Sequence, residues 1–226
     1  NAERGAQANS VMPARDGAQA GPLVLLLPGS RPGELRRHLP VMLPAWERIR
    51  AEHKGAQARM VLPNQRLADL AKESGGLRDI ELQLGNLPEA LRQADLALAS
   101  TGTVIMECAC FGVPTVALYK TSWINFQIGK RIAKVKHLAM PNIMAGREIM
   151  PEFIQDAATP ENLARAGLQL LTDPARRQEI KRALAAIVGS LGGLGANQRA
   201  AKEIVRLVDP ATSTDQARTD LFVKPG

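Results

Sequence analysis

A chain of 226 residues that is 45% hydrophobic has enough apolar mass for a packed core, which argues against disorder. Aromatic residues make up only 3% while alanine and leucine are frequent, a mix that suits helices packed on a sheet better than a β-sandwich. The formal net charge of +7 favours anionic partners such as nucleotide phosphates or anionic lipid, and no apolar run approaches the ~18 residues needed to cross a bilayer.

Residues 1–21 are polar, rich in Ala, Gly and Gln, and read as a linker or the end of a missing N-terminal half. The chain begins at Asn1 rather than Met, as a piece or processed product of a longer protein would. Leu23 to Leu27 is a continuous apolar run, the pattern of a strand covered on both faces. Leu35, Leu39, Met42, Leu43, Trp46 and Ile49 then recur at helical spacing, predicting a helix from Glu34 to Glu52. Strands follow at Arg59–Leu62, Ile80–Leu84, Leu96–Ala99 and Thr115–Leu118. They alternate with helices at Gln65–Glu73, from Pro88 to Ala94, and at Thr103–Phe111. Short connections between alternating strands and helices imply an α/β fold: a Rossmann-like parallel sheet with helices on both faces. After Tyr119 the reading is a helical section, with helices at Asn125–Ala133, Glu152–Asp156, Glu161–Leu171, Pro174–Val188 and Asn197–Val208. This sets a domain at residues 22–208 and a flexible tail at 209–226.

Ligands of parallel sheets bind beyond the carboxyl ends of the strands, so the strand exits are where chemistry is sought. The first exit is Pro28-Gly29-Ser30-Arg31. Gly29 allows close backbone approach, Ser30 and the following amides can donate to an anion, and Arg31 can fork onto phosphate or carboxylate. An ordinary strand–helix turn with a solvated arginine fits the same residues. Neither a Walker A loop nor a dinucleotide fingerprint is present. The second exit is Thr101-Gly102-Thr103, opening a helix whose free amides and dipole suit an anion, with Glu107 one turn on to accept ribose hydroxyls. An ordinary capped helix with Glu107 solvated is the alternative. A third candidate is Met140 to Phe153, read as a loop in which Asn142 could meet an amide edge of a base or sugar. Arg147 there could reach a phosphate or cap the next helix.

Trp123 and Phe126 lie among Lys130, Arg131 and further lysines with no acid between Lys120 and Lys136. That pattern fits an amphipathic element on an anionic membrane surface, or a helix packed on the domain. His38, His53 and His137 are scattered, show no metal-ligand spacing and read as surface residues, so no metal and no cofactor is expected. Cys108 and Cys110, two apart in a helix, diverge and form no local disulfide, in keeping with a reducing compartment.

The stretches LLLPGSRPGEL, STGTVIMECACFGVPTV and LAMPNIMAGREIMPEFIQD resemble, in order and spacing, the C-terminal half of the lipid-A-disaccharide synthase family. The family more often has Ser-Gly-Thr where this chain has Thr101-Gly102-Thr103. The resemblance implies one half of a GT-B glycosyltransferase, binding a UDP-sugar donor. Family members transfer 2,3-diacylglucosamine from UDP to 2,3-diacylglucosamine 1-phosphate, without a metal, to give the β-1,6-linked lipid A disaccharide precursor. By the same resemblance Gly29, Ser30 and Arg31 form the first phosphate-side turn, Gly102 and Thr103 face the diphosphate, Glu107 binds the ribose, and Asn142 and Arg147 face the donor. Arg31 is the candidate for stabilising the leaving group. The general base belongs to the acceptor-side half, which is not in this chain, so the chain alone is expected to hold UDP-sugar weakly or not at all and not to turn over. A cytoplasmic enzyme peripheral on the inner membrane of a Gram-negative-type bacterium is implied, with room left for a homodimer. Another GT-B transferase or epimerase, or a UDP-sugar-binding module without activity, fits the glycine-rich corners too. The scarcity of aromatic residues for base stacking argues against nucleic acid.

Overall fold

The computed structural model describes residues 21–122 and 137–192, with Gln198, Ala201, Ile204 and Val205. Six parallel strands form one sheet in the order β3-β2-β1-β4-β5-β6. They are β1 (Leu23–Leu27), β2 (Gln57–Leu62), β3 (Ile80–Leu84), β4 (Leu96–Ser100), β5 (Thr115–Tyr119) and β6 (Glu152–Ile154). Every residue of β1 and β4 is buried, as central strands covered on both faces must be. These two strands are neighbours, with Val24 opposite Leu96 and Leu27 opposite Ala99. From β1 the chain winds outward one way to β3, returns to β4, and winds outward the other way. The crevice between β1 and β4 is therefore the topological switch point of the sheet, where ligands of such folds sit.

Because parallel crossovers are right-handed, helices met while winding in opposite directions lie on opposite faces. Among the described residues the helices with assigned bounds are α1 (Pro32–Glu52), α2 (Gln65–Glu73), α3 (Leu87–Gln93), α4 (Thr103–Cys110), α5 (Met140–Ala145), α6 (Pro160–Thr172) and α7 (Pro174–Ser190). The apolar stripe of α1 buries Leu35, Leu39, Met42, Trp46 and Ile49 completely, and this helix packs against α6 and α2. Pro40 and Pro44 lie inside α1 without ending it. Both are exposed and one turn apart, so the carbonyls deprived of a helical partner face water. Gly167 lets α6 come close, since a Cβ there would stand 2.9 Å from Ile49 Cδ1 and 3.3 Å from Leu96 Cδ2. At the foot of the sheet, the Asp95 carboxylate accepts the Leu23 N–H at 2.8 Å and pins the start of β1.

The strand positions follow the hydrophobic runs, and the differences fall where runs are short. The segment expected as a helix at Glu152–Asp156 is instead β6 followed by a 3-10 turn, Gln155–Ala157. Three residues are too few to show a period, and pairing with β5 through Phe153 opposite Leu118 decides their state. The segment read as a loop around Asn142 contains α5, with Pro141 in its first turn and Gly146 as a left-handed cap. One compact unit runs through Ile187. The candidate membrane residues Trp123, Phe126, Lys130 and Arg131 lie outside the described residues. So do the helix expected at Asn125–Ala133, most of Asn197–Val208, the tail, and all but the last residue of the N-terminal linker. No helix among the described residues is long and apolar enough to cross a membrane.

Candidate functional site

The exit of β1 is shaped by Glu34. Its Oε2 accepts the N–H groups of Ser30 at 2.8 Å and of Arg31 at 3.2 Å. The acid thus reaches back from the first turn of α1 to the backbone that leads into it, half of a capping box. Gly29 has φ +123, and a Cβ there would stand 2.3 Å from Glu34 Oε2, so glycine is required both by conformation and by the acid's close approach. The Arg31 side chain remains 81% exposed, its Nη1 3.8 Å from Glu34 Oε1. This corrects the sequence reading of the corner: the Ser30 and Arg31 amides are already occupied by a carboxylate of the chain itself. What this exit offers a ligand is the Arg31 guanidinium and the Ser30 hydroxyl.

The exit of β4 is built differently. The Thr101 N–H donates to the Leu118 carbonyl at 2.8 Å and its hydroxyl donates to the same oxygen at 3.2 Å, fixing the turn to β5. Gly102 is the residue before α4, and no side chain caps the helix. A Cβ at Gly102 would meet nothing within 4 Å. The glycine therefore leaves the approach to the first amides of α4 open, and those amides have no partner within the helix. Glu107, one turn along α4, is exposed on the same side. Behind it Cys108 is buried, its thiol pushed up to about 12 chiefly by that burial, which leaves it a packing group and not a nucleophile.

These two exits open into one cavity of about 580 Å³, within the usual range for a small-molecule site. It is lined by Gly29, Ser30 and Arg31 from the first exit, and by Gly102, Thr103 and Glu107 from the second. The tips of β2 and β3 add an apolar and backbone-rich wall, Leu62-Pro63 and Gly85-Asn86-Leu87, and Tyr119 closes the β5 side. That wall and Glu34 were not identified from sequence. The available signal was topological: β2 and β3 end on the same edge as β1, so their exits belong to the same mouth. Asn86, a non-glycine residue at φ +46, marks the spot.

The third candidate corner is not part of this cavity. Asn142 is fully buried in α5. Its Oδ1 accepts the N–H groups of Ile149 at 2.9 Å and Met150 at 3.1 Å, and its Nδ2 donates to the Met150 carbonyl at 3.0 Å. The amide that was expected to face a donor is a brace for the chain entering β6. Arg147 is exposed away from the cavity, close enough to Glu179 of α7 to help Arg176, the main cause, hold that carboxyl below its usual range. His38, expected at the surface, is 1% exposed, and burial lowers its pKa. Among the described residues no group of three or more His, Cys, Asp or Glu could hold a metal ion.

The family model of lipid-A-disaccharide synthetase matches residues 11–208. The chain belongs to that family. The lipid-A-disaccharide synthase of Anaeromyxobacter dehalogenans (strain 2CP-1 / ATCC BAA-258) is 39% identical over 185 residues, which cover 80% of this chain and 48% of its own. That of Solibacter usitatus (strain Ellin6076) is 39% identical over 191 residues, covering 83% and 49%. The chain thus spans about half the length of the curated relatives it matches. Among solved structures, WaaG, a glycosyltransferase involved in lipopolysaccharide biosynthesis, superposes with a TM-score of 0.55 at 15% identity, covering 86% of this chain and 48% of that one. The glycotransferase of kitacinnamycin does so with a TM-score of 0.53 at 24% identity, covering 91% and 47%. At these identities the likeness is one of fold: the sheet is built like one half of these two-part GT-B structures.

Proposed function

We propose that this chain is the donor-binding half of a lipid-A-disaccharide synthase. It holds UDP-2,3-diacylglucosamine while the sugar passes to 2,3-diacylglucosamine 1-phosphate, giving the β-1,6-linked disaccharide. The observation that carries the proposal is the open N-terminus of α4 standing across the switch point from an exposed Arg31, with both lining one cavity. The diphosphate lies against the α4 amides, where unpaired N–H groups and the helix dipole favour negative charge. Glu107 accepts hydroxyls of the ribose, and the wall at the tips of β2 and β3 receives the base.

As the anomeric carbon separates from its oxygen, charge grows on the β-phosphate. Donors already aimed there stabilise that charge more than they stabilise the bound donor, and this difference lowers the barrier. Arg31 and the amides of Gly102 and Thr103 fill this role. No side chain of the cavity is placed as general base, so deprotonation of the acceptor hydroxyl falls to the acceptor-side half. By itself the chain binds UDP weakly and does not turn over. The lipid substrates and the basic aromatic stretch around Trp123 and Phe126 together suit an enzyme working at an anionic membrane surface.

Titration of the chain with UDP, followed by amide chemical shifts so that weak binding registers, tests this reading. Shifts should centre on Gly102 to Val104 and on Glu107. Glu107→Ala should weaken binding by several-fold, in line with the loss of about one charged hydrogen bond. Equal affinity removes Glu107 from the ribose site, and the absence of any response to UDP removes the proposal.

A further inference from the structure

His38 lies in the second turn of α1, and the mechanism above makes no use of it. Its Nδ1 stands 2.6 Å from the carbonyl oxygen of Pro28, and its Nε2 stands 3.2 Å from the backbone nitrogen of Lys120. A carbonyl only accepts and a backbone N–H only donates. The ring therefore carries its proton on Nδ1, gives it to Pro28, and accepts the Lys120 N–H on Nε2. The Pro28 contact survives protonation, but the Lys120 contact requires the neutral ring, because an imidazolium would turn its Nε2–H onto another donor.

The two partners have meaning in the fold. Pro28 directly precedes Gly29-Ser30-Arg31, and Lys120 directly follows Tyr119. Strands β1 and β5 flank β4 on its two sides, and β4 leads to the open end of α4. One imidazole therefore ties together the exits on either side of the α4 amides. The charged groups that act on the ring are Glu34 and Arg37 of α1, which oppose each other. Beside them is Lys120 from the β5 exit, whose Nζ is turned to the carbonyls of Gln155 and Ala158 at 3.0 and 3.3 Å. Burial outweighs them and favours the uncharged ring.

We infer that His38 is a positioning residue for the diphosphate: its Nδ1–H tautomer sets the spacing between the Arg31 exit and the β5 exit across the mouth of α4. The inference rests on the UDP reading above. It adds that the spacing is fixed by a buried hydrogen-bonding ring and not by strand packing alone. Small displacements of charged donors around a phosphate are costly, which is why a residue that touches no substrate would still be felt.

The test compares wild type, His38→Gln and His38→Leu in the same chain. Glutamine offers an N–H and a C=O to the same two partners, whereas leucine fills the space and offers neither. Ring nitrogen shifts of the wild type should report the Nδ1–H tautomer. Amide exchange at Lys120 should quicken in the leucine variant and stay slow in the glutamine variant. UDP titration followed by chemical shift should show about tenfold weaker binding for His38→Leu and a change within about threefold for His38→Gln. As the pH falls below the ordinary histidine value of 6.5, wild-type affinity should fall relative to His38→Gln, in which nothing at this position titrates and the ionisation of UDP is shared. Should the leucine variant fail to fold, His38→Asn, too short to reach both partners, takes its place. An Nε2–H tautomer, or unchanged Lys120 exchange in the leucine or asparagine variant, overturns the strut. If the wild type binds UDP and every variant binds it equally, the role of His38 is overturned and the donor site stands. A wild type that does not respond to UDP overturns the donor site and, with it, the diphosphate role of His38.

Discussion

Two strand exits stand side by side at the switch point, and their helices begin in opposite ways. At α1, Glu34 folds back and takes the N–H groups of Ser30 and Arg31. At α4, Gly102 precedes the helix and no side chain reaches its first amides. The long helix, packed on α6, begins with Pro32, which has no N–H, and its own Glu34 takes the N–H groups of the two residues before it, so the shape of the first exit does not depend on a ligand and Arg31 is left exposed at the cavity. The short helix leaves its first donors without a side-chain partner. Sequence reasoning treated the two glycine corners as alike. Their difference is that Gly29 makes room for the protein's own carboxylate, while Gly102 leaves the start of α4 open, where the proposed function puts the donor's diphosphate.

The comparison assigns the first exit to a side chain and the second to the backbone, and the largest effect should come from the side chain. Arg31→Ala in the full-length enzyme should lower turnover about a hundredfold, roughly 3 kcal/mol of transition-state stabilisation, in steady-state assays. Unchanged turnover would leave the first exit with no chemical part. Next is the residue that the structure moves out of the site. Asn142→Ala strips the Ile149 and Met150 N–H groups of their acceptor in a buried setting. It should cost about 2 kcal/mol in denaturant unfolding while leaving UDP affinity unaltered. A loss of affinity with intact stability would return Asn142 to the donor.

The strands and most helices were legible because their signals are local and repeated. Leu23–Leu27 and Leu96–Ala99 are apolar throughout, and the α1 stripe from Leu35 to Ile49 leaves no other period to fit. Arg31, Thr103 and Glu107 could be placed at strand exits by counting elements, and parallel topology then brings them together. Asn142, Glu34 and His38 could not be read this way. Each depends on where another segment returns: Asn142 on the chain entering β6, Glu34 on a bend at Gly29, and His38 on Lys120, far along the sequence. A polar residue inside or next to a helix looks the same on paper whether it braces the backbone or meets a ligand, because its partner is not its neighbour. Three-residue β6 was missed for the related reason that pairing across the sheet, not local pattern, decides it.

If an unoccupied helix start is what distinguishes the second exit, supplying a cap there should erase the distinction. Gly102→Asp places a carboxylate before α4 in a position where a Cβ has no neighbour within 4 Å, so it can be accommodated without displacement. The aspartate should stabilise the helix by about a few tenths of a kcal/mol and weaken UDP about tenfold by occupying the amides and repelling the diphosphate. A stabilised variant that binds UDP as well as wild type would mean the diphosphate does not use this helix start.

The converse change has the smallest effect and the sharpest meaning. Glu34→Ala uncaps α1 and removes a negative charge from the cavity. Thermal unfolding should register a loss of about 1 kcal/mol, with part of it recovered by Glu34→Gln, which keeps an acceptor for the Ser30 and Arg31 amides. UDP affinity should hold or rise by a few-fold, since repulsion is relieved and two N–H donors are released beside Arg31. This pairs the two exits in one experiment: an acid introduced at Gly102 trades binding for stability, and an acid removed at Glu34 trades stability for binding. Should Glu34→Ala weaken UDP as strongly as Gly102→Asp does, the acid is needed to hold Arg31 in place. The first exit would then depend on its cap for function as well as for shape, and the two exits would be coupled and not merely adjacent.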